Sequence, residues 1–358
     1  MKLHDNHWHS DCETASIAKN ITYFKSLLDT CHPDSVTLLS IPTRERQYTR
    51  FANLKALAIK EALGGRAYAF LGLWHKDHPT AQDYVTQLED GLAMGFDGVK
   101  SLEEKPDVRK FTGRSIADPI FDPVYDRMEA LQVPFVLHAA DPGFAWTRAL
   151  CTQYMLDHGR CYDAPGYLSK EEIYAEVDEM LAKHPHLRLT LAHFYFLSDD
   201  LPRAAKFLDA HPQVCFDLVP GREMYTDFGN HVPEARAFFA RYADRMIFGT
   251  DINSYGANDP HTAQYHRDLF AYTKAMIDEN GEREFCGKTY RGMGLPTDLC
   301  EKIFYTNAMH FLHDRAPKPV DRALAIQALA AQKPYQADFT EEDARDFADL
   351  QEYFGVKV

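Results

Sequence analysis

Histidines at the ends of short apolar runs are the residues of this chain best placed to do chemistry. His7 and His9 stand two apart in HDNHWH. In an extended segment, residues i and i+2 point the same way, so both imidazoles can grip one cation. His138 ends the run VPFVLH, His193 ends LRLTLAH, and Asp251 ends MIFGTD. His7, His9, His138 and Asp251 together make a nitrogen-rich donor set. Such a set suits one divalent transition metal, zinc first, with manganese or iron as alternatives. An open position would take a water whose pKa the metal lowers toward neutrality. Asp251 would be both ligand and proton acceptor. His193, just outside the ligands, would polarise the substrate or shuttle a proton.

Residues so far apart need a scaffold that gathers them. Eight apolar runs recur: 3–9, 35–42, 66–73, 96–101, 133–138, 187–193, 214–219 and 246–251. Each is too short for a helix, and most are rich in Val, Ile, Leu and Phe, as strands buried on both faces are. Amphipathic helical spacing fills 14–30, 45–63, 80–94, 119–132, 169–184, 199–211, 232–244 and 261–279. Boundary signals agree, among them the capping box from Ser169 to Glu172 and a proline after Asp118. Four His-Pro pairs, including His184-Pro185, mark turns. Strict alternation predicts a (β/α)8 TIM barrel. An open doubly wound sheet would normally show a glycine-rich turn after its first strand, and HWHSDC has none. Barrel enzymes draw their chemistry from the carboxyl ends of the strands. Five of these runs deliver His, Lys or Asp there, Lys100 being the fourth run's. The barrel is expected over 1–315. A helix at 296–313 would complete it, and 316–358 would form a C-terminal helical extension packed on it.

Composition limits the partners. The chain has 358 residues, 39 Lys and Arg against 53 Asp and Glu, and a formal charge of −14. An acidic chain lacks the basic footprint of a nucleic-acid binder. No stretch approaches the length of a membrane span, and the first residues do not read as a signal peptide. Seven scattered cysteines without a C-x-x-C pair read as reduced thiols and suggest a cytoplasmic protein. The expected partner is a small-molecule substrate.

HWH, VLH, LAH and FGTD in this order, followed by GLPTDLCEKIFYTNAMHFL with Asn307-Ala308, resemble the amidohydrolase superfamily, in its amidohydrolase-related branch. The resemblance spans 1–313. It implies a mononuclear metal held by His7, His9, His138 and Asp251, with His193 catalytic. Lys100 falls where binuclear members place a bridging lysine, which leaves the metal count open. It also implies a metal-dependent hydrolase, in which activated water attacks a carbonyl-type carbon. The alternative is non-oxidative decarboxylation of an aromatic or unsaturated acid. Relatives in this superfamily often dimerise, so a homo-oligomer is an expectation by resemblance.

Substrate-binding candidates surround these positions. Trp8 and Lys100 belong to the runs themselves. Residues 139–168 form a long connection with little periodicity, and such loops tend to serve binding. Trp146 and Arg148, with Tyr154 and Arg160, are its candidates for lining the mouth. Arg222, after the seventh run, is another. A decarboxylase would need an arginine of this kind to orient a carboxylate.

Overall fold

Short strands that are apolar on both sides must be covered by helices outside and by one another inside. In the computed structural model, which describes residues 1–10, 15–41, 43–44, 47–48, 50–76, 78–221 and 223–358, a (β/α)8 barrel meets both demands. Its strands are His4–His9, Ser35–Leu39, Ala67–Gly72, Gly98–Glu104, Pro134–Ala139, Arg188–Leu191, Cys215–Asp217 and Met246–Ile247. Chain neighbours are sheet neighbours, and every pair is parallel. The ring closes where Ile252–Asn253, continuing the eighth strand past Asp251, pairs in parallel with Trp8 and His9.

A buried carboxylate sews this seam. Asp5 Oδ1 accepts from the backbone N–H of Thr250 at 3.1 Å and of His7 at 3.2 Å. Its Oδ2 accepts from the Thr250 hydroxyl at 2.6 Å and from Trp8 Nε1 at 2.7 Å. Trp8 was expected beside the substrate. It faces the other way from His7 and His9, is fully buried, and stacks on Phe24 of the helix Ile17–Cys31 with centroids 5.5 Å apart. Alternation along the strand sends residue 8 to the helix layer, so its role is packing and seam closure.

The helices follow the apolar spacing within a few residues. Ser169 and Glu172 form the expected reciprocal cap. At the Asp118-Pro119 boundary signal, Asp118 accepts from Ile120 N at 2.9 Å in a turn, and the helix starts at Asp122. Of the helix expected at 45–63, Ala52–Leu63 is helical, and residues 45, 46 and 49 lie outside the described residues. The segment 297–311 is helical with a π-turn at Lys302–Thr306. There Asn307 Nδ2 donates to Ala243 O at 2.6 Å and Met246 O at 2.7 Å, which anchors the start of the eighth strand. A hairpin, Asn280–Phe285 with Lys288–Met293, was not anticipated. Its first strand is almost wholly exposed, so it carries no apolar alternation to read. The helices Arg322–Ala330 and Glu341–Phe354 pack on the barrel's outer layer. Asp346 pairs with Lys55 at 2.8 Å, both nearly sealed from solvent, and Phe347 packs against Phe51. Among the described residues no helix is long and apolar enough to cross a membrane.

His4, at the start of the first strand, lies fully buried between Ser35 Oγ at 2.8 Å and Thr37 Oγ1 at 2.9 Å. Burial lowers its pKa from 6.5 to about 3. Between these values the unfolded chain binds a proton that the folded chain refuses, so stability falls as pH falls, by roughly 1.4 kcal/mol per pH unit. Urea midpoints measured from neutral to mildly acidic pH should therefore decline more steeply for the parent than for His4→Gln. Parallel declines would show that another group governs acid sensitivity.

Candidate active site

The C-terminal ends of the first and eighth strands lie side by side at the seam, and that places His7, His9 and Asp251 together. His7 Nε2 is 3.2 Å from His9 Nε2, and Asp251 Oδ1 is 3.1 Å from His9 Nε2 and 3.7 Å from His7 Nε2. The three ligating atoms form one compact group able to hold a metal ion. The far side of each ring is fixed. His7 Nδ1 meets Asp217 Oδ2 at 2.8 Å, and His9 Nδ1 meets Leu39 O at 3.1 Å. Hydrogen bonds donated from both Nδ1 atoms leave both Nε2 lone pairs facing the centre. Gly249 makes room for this approach. A Cβ there would stand 3.0 Å from His7 Cβ and 2.7 Å from Val219 Cγ2.

Electrostatics suit a cation site. Burial works to raise the Asp251 pKa, but the His9 hydrogen bond and the neighbouring His7 and His193 rings outweigh it, so the carboxyl sits well below its ordinary range. Burial, with Lys100 second, pushes His7 well below its ordinary value, so its ring is neutral. Lys100, nearly buried on the fourth strand, lowers His7, His138 and His193 alike.

His193 begins an unusual turn. His193, Phe194, Tyr195 and Phe196 all have φ between 50° and 57°, the left-handed region, without a glycine among them. Left-handed backbone costs roughly 1–2 kcal/mol per residue, so the surroundings must impose it. Asp217 Oδ1 accepts from His193 N at 2.7 Å, Tyr174 Oη donates to Tyr195 O at 2.9 Å, and Lys170 Nζ donates to Phe196 O at 2.8 Å. The Phe194 ring is buried among Phe216, Phe228 and Phe238. The turn holds the His193 ring 5.6 Å from that of His7 and 4.7 Å from that of His138. Burial lowers the His193 pKa to about 4, so the ring is neutral near pH 7.

His138 stands one ring outside the compact group. Its Nε2 faces Ala140 O at 3.0 Å and Asp141 Oδ1 at 3.3 Å, which leaves Nδ1 as its available ligating nitrogen. Asp141 in turn lies 3.3 Å from Lys105 Nζ and accepts from the Tyr162 hydroxyl. Three of the four expected ligands thus converge, and the fourth is linked to them through His193. Trp146 lies in the loop after the fifth strand. Its Nε1 donates to Leu168 O at 2.8 Å, pinning the loop's two ends, and its ring packs on Tyr162. Arg148 is 69% exposed and faces Asp163 at 3.6 Å. Arg222 lies outside the described residues. Asp217 is the functional residue that sequence reasoning missed. Its signal was a lone carboxylate inside the apolar run VCFDLV. A cavity of about 450 Å³, lined by Gln132, Arg188, Arg245 and Asn307 among others, opens at the opposite face, and none of the strand-end residues line it.

Comparison with known proteins places this geometry. A family model described as amidohydrolase matches residues 43–313, starting after the first strand, so HWH lies outside the matched stretch. A search of curated proteins returns no match. Among solved structures, 4-oxalomesaconate hydratase from Rhodopseudomonas palustris is 14% identical, covers 94% of this chain and 99% of its own, and superposes with a TM-score of 0.53. The apo IDCase of Metarhizium anisopliae is 17% identical over 84% of this chain and 79% of its own, with a TM-score of 0.54. An uncharacterised TIM-barrel protein from Bordetella bronchiseptica is 13% identical over 87% of this chain and 99% of its own, with a TM-score of 0.53. At such identities the likeness speaks for the barrel, and the family match speaks for the lineage. The chain belongs to the amidohydrolase family of enzymes.

Proposed function

We propose that this protein is a metal-dependent hydrolase that adds water to a carbonyl-type carbon of a small substrate. The observation that carries the reading is the convergence of His7 Nε2, His9 Nε2 and Asp251 Oδ1, with the opposite ring nitrogens held by a carboxylate and a backbone carbonyl. Metal-ligating histidines are oriented in this way, and a two-nitrogen, one-oxygen donor set fits zinc, manganese or iron. His7, His9 and Asp251 would hold the ion, with His138 joining through Nδ1. When bound, such an ion supplies Lewis acidity and makes water a better nucleophile near neutral pH.

The side chains divide the remaining work. Asp251, held as a carboxylate, takes a proton from the attacking water as the new C–O bond forms. It returns that proton to the leaving group as the second bond breaks. His193, neutral near pH 7, donates an N–H hydrogen bond to the developing oxyanion. The decarboxylase alternative asks for an arginine aimed at a carboxylate. Arg148 faces Asp163 and solvent instead, so that residue lends the alternative no support.

Two experiments test this reading. Asp217→Asn removes the carboxylate that orients His7, so Zn²⁺ affinity at the component abolished by His9→Ala should fall about 10–100-fold. Competition with a chromophoric chelator reads this, with far-UV circular dichroism as the control for folding. Undiminished affinity would dismiss Asp217 as an orienting group. For the reaction, metal-loaded protein is assayed on a panel of small lactones, amides and esters by acid release, and on aromatic acids by carbon dioxide release. Hydrolysis is expected, and Asp251→Asn should slow it by about 100-fold or more. Carbon dioxide release alone, or full hydrolytic turnover by the Asn variant, overturns the assignment.

A further inference from the structure

A second group of ligating side chains lies at the face where the strands begin. The helix Asp122–Leu131 runs beside the turn that follows the helix Lys170–Lys183. Asp122, Asp126 and Glu129, spaced four and three apart, share one face of their helix and look onto His184. The His184 ring is buried, with 4% of the residue exposed, and is held edge-on by Tyr125 with centroids 5.2 Å apart. Its Nε2 is 3.2 Å from Asp122 Oδ1. Its Nδ1 is buried and makes no hydrogen bond, although Asp126 Oδ1 is only 3.4 Å away. Ligating atoms of Asp126, Glu129 and His184 all lie within 4.8 Å of one another.

His184 Nε2 faces the Asp122 carboxylate, while the buried, unbonded Nδ1 looks onto Asp126, in one compact group with Glu129. Three electron-rich atoms facing one another repel unless a positive charge sits between them. A carboxylate on one imidazole nitrogen with a cation on the other is the usual outer-partner arrangement of a metal-binding histidine. One nitrogen and two oxygens suit a divalent ion of the zinc class. Asp126 is 73% exposed, so an ion can enter from solvent.

We propose that His184 Nδ1, Asp126 and Glu129 form a second divalent transition-metal site, with Asp122 as the positioning residue. It lies away from the candidate active site. The ion would staple the helix Asp122–Leu131 to the turn entering the sixth strand, a structural role. Glu129 already joins these elements, since its Oε1 accepts from His186 N at 2.6 Å.

The test uses the full chain in a His9→Ala background, which separates this site from the proposed catalytic one. Protein stripped with chelator is titrated with Co²⁺, read by its absorption bands, and with Zn²⁺, read by equilibrium dialysis. His9→Ala should still take up a metal equivalent and melt at higher temperature when loaded. Adding His184→Gln should abolish both effects. Adding Asp122→Asn should weaken uptake about 10–100-fold. Should His184→Gln fail to fold, the near-isosteric, exposed Asp126→Asn should still depress uptake. Absence of uptake by His9→Ala, or uptake indifferent to both His184→Gln and Asp126→Asn, overturns the proposal.

Discussion

Closure of the barrel rests on one buried carboxylate. Asp5 accepts four hydrogen bonds, two from Thr250 and one each from Trp8 and His7. Burial raises its pKa to about 7, and those hydrogen bonds oppose the rise. Everything chemical at this end of the molecule depends on the joint it makes. His7 and His9 leave the first strand a few residues later, and Asp251 follows Thr250 directly. If the two strands separated here, the donors would part as well. Buried carboxylates are costly unless fully satisfied, and these four hydrogen bonds offset that cost.

A second carboxylate, Asp217, extends that order to the far side of the ring. One oxygen fixes the His7 imidazole and the other holds the backbone of His193. The four-residue left-handed turn from His193 to Phe196 is strained, and the strain is sustained by buried aromatic packing and three hydrogen bonds from other elements. Outliers of this kind cluster at functional sites. Here the turn holds the His193 ring beside those of both His7 and His138.

Much of this was legible in the sequence, for physical reasons. Strands buried on both faces must be short apolar runs, and all eight were visible in order. Helices packed on one side show spacing of three and four, and these appeared within a few residues of their true ends. The histidines and the aspartate closing the runs pointed to the rim because barrels present their carboxyl ends there, whereas the fourth strand runs on past Lys100 to Glu104. Other features had no such signature. Asp217 looked like a lone polar residue in an apolar run, since its partners lie 210 and 24 positions away. The left-handed turn is written in aromatics where glycine would have announced it. The hairpin 280–293 buries too little to impose alternation. Trp8 was misplaced although the alternation that set His7 and His9 inward also sends residue 8 outward.

The ion pair between Lys55 and Asp346 bears on what counts as the folding unit. Both groups are almost sealed from solvent, and removing one member of such a pair strands the other at a penalty of roughly 3–5 kcal/mol. Loss of the helix Glu341–Phe354 would leave an ammonium group in the wall of the barrel and uncover Phe51 and its neighbours. The last helix is therefore better regarded as a stave of the cask than as an appendage, and shortened versions of this enzyme should be judged by whether they keep it.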